Sequence, residues 1–436
     1  MNRKINRALK SAGFTDLLDI QQECISSLEH ADDVILLSKT GSGKTLAFLL
    51  SIITKLDETK TNEVQALVVA PTRELCIQIE NVFRSLKTGY KVTTCYGGHS
   101  VQSERNSLSE APAVIIATPG RLQDHIYRRN VDLRTVDFLV IDEFDKCLEF
   151  GFLDSIEDIY EQLKHLKHHV LTSATRLDNI PEFLRISSPV IIDAIKEDDT
   201  LDLVEYVVNV QEDTMESLTL LIASFGMEKS MIFVNYREVC DDVQERLYDN
   251  GITCAIYHGG LEQEMRERQL IKFSNGTANT IVCTDLGARG LDIPDVKHIV
   301  HYQYPGSESA FVHRKGRTAR MGGSGGFSYL FISKKTELPM YITEPGLSMT
   351  PEYGPVPTPE WETIYIGGGK KDKIGKIDVV GFCAKVGKLA KDEIGMIDSK
   401  DRHSYVAIKR SKCDEFIRNI KGEKIKGKRL KVAVAR

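Results

Sequence analysis

The stretch VILLSKTGSGKTLAFLLSII, residues 34–53, decides the fold. Its first four residues are apolar throughout, as in a short strand covered on both faces. Residues 46–53 read as a helix, and SKTGSGKT (38–45) lies between the two. Gly41 and Gly43 let the backbone wrap a polyphosphate with its N–H groups inward, where the helix N-terminus adds a favourable dipole. Lys44 would meet the β- and γ-phosphates, and the Thr45 hydroxyl would reach Mg²⁺. Thr40, Gly41, Ser42, Gly43, Lys44 and Thr45 are therefore expected to cradle a nucleotide. The strict pattern has Gly where this chain has Ser38.

Outward from this loop, short apolar runs recur at 34–38, 66–70, 92–95, 114–117, 138–141 and 170–172. Amphipathic stretches such as 75–86 and 156–166 separate them, which predicts a parallel α/β sheet. A second series starts near Val204 and continues at 231–234, 253–257, 280–283, 298–302 and 326–332, with helices expected at 239–250 and 265–275. The chain thus reads as α/β, with tandem units at 1–195 and 203–336 joined through the polar IKEDDTLD (195–202). Six prolines between 339 and 359 predict an extended linker over 337–361. Strands expected at 363–366, 394–397, 404–408 and 429–433, with helices at 376–386 and 413–420, give a βαββαβ order. That order fits a small α+β, RRM-like domain over 362–436.

The net charge of −5 hides an asymmetry. Residues 362–436 hold 20 Lys and Arg against 10 Asp and Glu, a net of +10, leaving −15 for residues 1–361. A basic module on an acidic body points to nucleic acid. Nine cysteines are scattered singly without a C-x-x-C pair, which fits reduced, buried thiols in a cytoplasmic protein rather than zinc ligands. Residues 1–12 are basic and amphipathic and lack the apolar core of a signal peptide, and no apolar run is long enough to span a membrane.

Two further motifs bear on chemistry. In VIDEFD (140–145), Asp142 would hold Mg²⁺, largely through water, and Glu143 would position and deprotonate an attacking water. In HRKGRTAR (313–320), four cations in eight residues read either as a solvated patch or as arginines that reach a γ-phosphate across a cleft.

Taken together and in order, these motifs resemble the DEAD-box RNA helicases of superfamily two over roughly residues 13–320. The resemblance implies two tandem RecA-like domains, ATP and Mg²⁺ as cofactors, and RNA, single-stranded or in a short duplex, as partner. It assigns Gln21, in GFTDLLDIQ, to the adenine. It assigns Pro71, Thr72 and Arg73 of PTRELCIQ, Gly98 of the Gly97–Gly98 pair, and Thr118, Pro119, Gly120 and Arg121 to RNA. In the second domain it assigns Arg237, Gln263, Arg266 and Thr284 to RNA and Asp292 to the ribose. Arg317 and Arg320 would be the arginine fingers. Asp145, Ser173, Thr175 and His313 would couple hydrolysis to RNA remodelling.

This sequence departs from the family at Phe144, where a small Ala is usual. The added bulk near Ser173–Thr175 is expected to disturb coupling before it disturbs ATP binding. Leu17–Leu18–Asp19 replaces the usual Pro-Thr-x. The last 75 residues resemble the RNA-binding domain of the DbpA subfamily, through IYIGGGKKDKIGKIDVVGF, IGMIDSKDRHSYVAIKR and KGEKIKGKRLKV. That likeness implies large-subunit ribosomal RNA as target and a part in ribosome assembly. Tyr365 and Tyr405 fall where RRM aromatics stack bases, or are ordinary strand residues, and Lys424, Lys426 and Lys428 would track phosphates or form a plain turn. The expected activity is local unwinding or remodelling of structured RNA by a monomer. The alternatives are an ATP-gated RNA clamp or assembly scaffold with little unwinding, and a DNA translocase on the same fold.

Overall fold

A computed structural model describes residues 3–38, 41–98, 100–177, 179–195, 203–210, 213–288, 296–318, 325–332, 338–343, 346–352 and 354–435. The first sheet contains β1 (Asp33–Leu37), β2 (Ala66–Val69), β3 (Val92–Cys95), β4 (Val114–Ala117), β5 (Phe138–Ile141), β6 (His168–Ser173) and β7 (Val190–Asp193). All its pairings are parallel, in the order β3-β4-β2-β5-β6-β1-β7. Alternate residues feed two separate cores. Val34, Leu36, Val68, Ile116 and Val140 enter one, and Ile35, Leu37, Val69, Ile115 and Ile141 the other. This is why β2, β4 and β5 are apolar at every position rather than at every second one.

The second sheet contains β8 (Leu203–Asn209), β9 (Lys229–Val234), β10 (Cys254–Tyr257), β11 (Thr280–Thr284), β12 (Val296–His301), β13 (Gly326–Ile332) and β14 (Leu347–Met349). It is also parallel, in the order β10-β11-β9-β12-β13-β8-β14. The third contains β15 (Trp361–Ile366), β16 (Ile394–Ser399), β17 (Ser404–Lys409) and β18 (Val432–Val434), antiparallel in the order β16-β17-β15-β18. The chain divides into two compact units, the first sheet in one and the other two sheets in the second.

The expected linker is not free chain throughout. Leu347–Met349 forms β14 on the edge of the second sheet, and Tyr341 and Ile342 pack with Phe311 and Leu330. An edge strand pairs on one side only, so a three-residue run between Pro345 and Pro351 can still join a sheet. Gly346 makes the entry possible: its φ is +89°, and a Cβ there would stand 2.4 Å from the Glu205 carbonyl oxygen. The last strand is shorter than expected, Val432–Val434. Most of the join at 195–202 falls outside the described residues.

Within the second unit the C-terminal sheet does not face solvent alone. Ile271, on the helix Gln263–Ser274, packs with Tyr405, Ala435 and Tyr365. Asn275 Nδ2 donates to Thr363 Oγ1 at 2.9 Å, and the Thr277 and Thr363 hydroxyls lie 2.7 Å apart.

Candidate active site

In the first unit the motif residues gather at the carboxyl ends of β1, β5 and β6, the edge where open parallel sheets hold ligands. Gly43 (φ 89°) is the N-cap of the helix Lys44–Lys55. A Cβ on Gly43 would lie 2.5 Å from Gln21 Nε2, so a larger residue would strain this left-handed turn and displace the glutamine. Gln21 links two elements: its Oε1 accepts from Leu18 N at 3.0 Å and its Nε2 donates to the Gly43 carbonyl at 3.3 Å. Lys44 is buried, and its Nζ donates to the carbonyls of Ser38 and Ser173, the latter at 3.4 Å. Thr45 is half-buried one residue on. Ser42 Oγ lies 2.5 Å from Ser38 Oγ, so the serine that departs from the strict pattern is part of the loop's own bonding.

Asp142 is 3 % exposed. Its Oδ1 accepts from Thr172 Oγ1 at 2.5 Å and from Glu143 N at 3.2 Å. The same Thr172 oxygen accepts from Glu143 N at 3.0 Å. Glu143 sits in the left-handed region (φ 49°, ψ 54°), which costs a side-chain-bearing residue about 1–2 kcal/mol. The two bonds to its N–H hold it there. Burial raises the Asp142 carboxyl above its ordinary value, against the Thr172 hydrogen bond and the Lys44 charge. Burial likewise lowers Lys44, against Asp142, Glu143 and Asp145. The group is a buried all-oxygen donor set facing one lysine, which suits a hard divalent cation and a polyanion.

Asp145 Oδ2 accepts from Thr175 Oγ1 at 3.4 Å, and Ser173 Oγ donates to the Thr175 carbonyl at 2.6 Å. Phe144 does not crowd them. It is fully buried in the apolar core with Ile141, Cys147, Leu122 and Leu171. The ring belongs to the core cluster, and Asp142 and Asp145 keep their threonine partners.

The expected RNA-contact motifs of this unit sit at the ends of β2, β3 and β4. Pro71 is buried, Thr72 caps the helix Arg73–Ser85 by accepting from Leu75 N at 3.2 Å, and the buried Arg73 lies over the Tyr96 ring at 4.8 Å. Gly98 (φ 86°) is exposed, as is Gly120. Thr118 and Pro119 start the helix Pro119–Tyr127. Arg121 Nε donates to Glu104 Oε2 at 2.6 Å. Glu104 also binds His125 at 2.7 Å and accepts from Tyr96 N at 3.1 Å. Burial pushes its carboxyl up, but the bonds from His125, Arg121 and Tyr96 outweigh this and hold it below its ordinary value. Cys95, Glu104 and His125 are close enough to ligate a metal. The Arg121 guanidinium on the same carboxylate opposes a second cation.

In the second unit Arg237 and Arg266 lie against one loop, residues 259–261, and Gln263 follows it. Arg266 donates to the carbonyls of Leu261 (3.1 Å) and Gly259 (2.6 Å). Arg237 Cδ lies 3.2 Å from where a Cβ on Gly260 would stand. Gln263 begins the following helix and donates to Glu267 at 3.1 Å. Thr284 ends β11 and accepts from Gly287 N at 3.2 Å. His313 is half-buried, and Arg317 Nε reaches the His313 carbonyl at 3.4 Å. Thr40, Asp292 and Arg320 lie outside the described residues.

Three family models match along the chain: DEAD/DEAH box helicase over 18–183, helicase conserved C-terminal domain over 213–322, and DbpA RNA binding domain over 363–434. The chain is 32 % identical to the ATP-dependent RNA helicase DbpA of Escherichia coli, over 97 % of this chain and 95 % of that protein. This chain belongs to the DEAD-box RNA helicases of DbpA type. The DbpA of Bacillus subtilis is 30 % identical over 99 % and 97 % of the two chains. Among solved structures, Mss116p bound to single-stranded RNA and AMP-PNP superimposes with a TM-score of 0.66 at 29 % identity, over 77 % of this chain and 73 % of that one. As a DEAD-box helicase of this type, the protein is an RNA-dependent ATPase with an RNA-binding C-terminal domain.

At two places in the C-terminal domain the structure bears on alternatives that the sequence left open. Tyr405 is 0 % exposed, packed under Ile271, and Tyr365 is half-buried beside it with ring centroids 5.7 Å apart. Tyr405 therefore cannot stack on a base in this arrangement, because the helix Gln263–Ser274 occupies the face a base would need. The lysine run is a two-residue turn, closed by reciprocal 3.0 Å bonds between Ile425 and Lys428. Lys424 is exposed, Lys426 pairs with Asp378 at 2.9 Å, and Lys428 pairs with Asp372 at 3.0 Å.

Residues that carry the site were also missed. Thr172 orients both Asp142 and Glu143, and its only signal is a polar residue closing an apolar strand. Arg314 is 1 % exposed and forks onto Asp285 with two 2.6 Å bonds, while also donating to Gln303 O and Asn235 Oδ1. It ties HRKGRTAR to the residue that follows Thr284 at the end of β11, and its fixed planar fork is why Lys would not serve.

Proposed function

We propose that this helicase remodels structured large-subunit ribosomal RNA during ribosome assembly. Support for a specific RNA comes from the +10 charge of residues 362–436 and the match to the DbpA RNA binding domain. With the C-terminal sheet covered, the exposed basic edge around Lys424, Lys426 and Lys428 is the surface we assign to phosphates, with their Asp partners giving way to RNA.

The observation that carries the catalytic reading is the triangle Asp142–Thr172–Glu143 beside Lys44. Lys44 exchanges its carbonyl partners for the β- and γ-phosphates of ATP, and the 41–45 backbone accepts the remaining charge. Gln21 reads the adenine and passes its occupancy to Gly43. Thr45 and Asp142 would hold Mg²⁺, which supplies charge neutralisation on the phosphates. Glu143, held by Thr172, aligns a water for in-line attack and takes its proton. Asp292 binds the ribose, and Arg317 and Arg320 stabilise the γ-phosphate in the RNA-bound state. Asp145, Ser173, Thr175 and His313 transmit the change to RNA held at Pro71–Arg73, Gly98, Thr118–Arg121, Arg237, Gln263, Arg266 and Thr284. On this reading the protein acts as a monomer in the cytoplasm, in keeping with nine singly scattered cysteines without a C-x-x-C pair. The placement of Phe144 in the core answers one of the two reasons for considering a clamp with little unwinding; the altered Leu17–Leu18–Asp19 is the other.

The test is steady-state ATP turnover with no nucleic acid, polyuridylate, deproteinised large-subunit ribosomal RNA and DNA. Selective stimulation by ribosomal RNA, lost on removing residues 362–436, is the expected result. Equal stimulation by both RNAs would retain the helicase and overturn the ribosomal target.

A further inference from the structure

The helix Gln263–Ser274 touches two surfaces with different tasks. Its first turn carries Gln263 and Arg266, and Arg266 clasps the 259–261 loop beside Arg237. Its last turn and the residues just after it are covered by the C-terminal domain. Ile271 packs with Tyr405 and Ala435, Asn275 and Thr277 bond to Thr363, and Arg410 reaches the Thr277 carbonyl at 3.4 Å. Arg410 is itself fixed by Glu362 at 2.7 Å and by the Pro359 and Trp361 carbonyls.

Several features mark this as a built joint. Asn275, Thr277 and Thr363 are all buried, and their polar atoms are satisfied by one another across the domain boundary. Ile271 belongs to the cluster with Tyr405, and not to the core beneath β9 and β12. Gly276 lets the joint close, since a Cβ there would stand 3.2 Å from Trp361 Cδ1. From Gln263 to Ile271 the helix runs about 12 Å, at ~1.5 Å per residue, as a rod between the two surfaces.

We propose that this helix is a positioning strut: by gripping residues 271–277, the C-terminal domain fixes the far end of the helix and hence the loop that carries Arg266 and Arg237. The domain then assists turnover by geometry, and not only by concentrating RNA near the core. The inference rests on the reading of Gln263, Arg266 and Arg237 as RNA contacts.

Ile271→Glu puts a carboxylate into the joint at a position outside the α/β core, and Ile271→Leu is the conservative control. Hydrogen exchange on the full chain without RNA is the first readout. The strut predicts faster exchange in Ile271→Glu both at 271–277 and at the remote 259–266, with Ile271→Leu matching wild type. A change confined to 271–277 and the C-terminal sheet overturns it. ATP turnover is the second readout. The strut predicts a maximal RNA-stimulated rate about tenfold lower with polyuridylate and with large-subunit ribosomal RNA alike, at unchanged half-saturating RNA. An unchanged maximal rate, with or without a higher half-saturating concentration of ribosomal RNA, overturns it. A wild-type chain stimulated by neither RNA would instead overturn the RNA-dependent reading, while the exchange result would still judge the strut.

Discussion

The first parallel sheet and the C-terminal sheet each carry residues that the family reading gives to a ligand, yet only one leaves them open to it. In the first, the ligand edge is the row of strand carboxyl ends, which helices packed on the two faces do not cover. In the second, the ligand surface would be the sheet face itself, and a neighbouring helix takes it, burying Tyr405 completely. A site at strand ends is guaranteed by topology, whereas a site on a sheet face depends on what else in the chain can pack there.

The sharpest way to break this comparison is at the strand ends. Glu143→Gln should lower RNA-stimulated ATP turnover by about 10²–10⁴-fold while nucleotide binding persists, as read by equilibrium titration of a fluorescent ATP analogue. Glu104→Gln should destabilise the first unit in urea unfolding by up to about 3 kcal/mol, since it leaves the half-buried Arg121 against a neutral partner. The pH dependence follows from the same group. Its folded pKa is depressed, so its contribution is present above the ordinary carboxylate range and is lost as pH falls through that lower folded value. Wild type should thus lose an acid-limb stability that Glu104→Gln lacks.

Thr172→Val keeps the shape but removes the hydroxyl shared by Asp142 and Glu143. We expect turnover to fall by about 10–100-fold, the usual effect of losing a group that orients a metal or catalytic ligand. On the C-terminal sheet, a stacked Tyr405 would lose about 1–3 kcal/mol of RNA affinity on mutation to Leu. With the ring buried, Tyr405→Leu should instead lower the thermal stability of the second unit and leave RNA affinity unchanged in filter binding. The smallest effect belongs to Lys424→Ala, which should reduce the slope of log affinity against log salt by about one.

Much of this was legible in the residues. Most central strands of both parallel sheets were visible because they carry apolar residues on both faces, and the phosphate loop because Gly41 and Gly43 stand at the strand–helix junction. The edge strands β7 and β14 were not. Val190 and Ile191 are exposed, and β14 lies in a proline-rich stretch, so neither shows the pattern of a buried strand. Asp142 and Glu143 were legible as a pair, but Thr172 lies 30 and 29 residues away and acts only through register between neighbouring strands. Arg314 hid among the cations of its own motif. The environment of Phe144 and the covering of Tyr405 were out of reach for one reason: both depend on which way a side chain faces and on what distant segment meets it.

The account is tested most directly by displacement of one strand from a short RNA duplex, followed by gel shift, with ATP and with AMP-PNP, for wild type and Glu143→Gln. If hydrolysis at Asp142 and Glu143 drives remodelling, wild type displaces strands repeatedly with ATP, and Glu143→Gln gives no sustained displacement. Tight nucleotide-dependent RNA binding with no strand release by wild type would contradict it, and would favour the ATP-gated clamp.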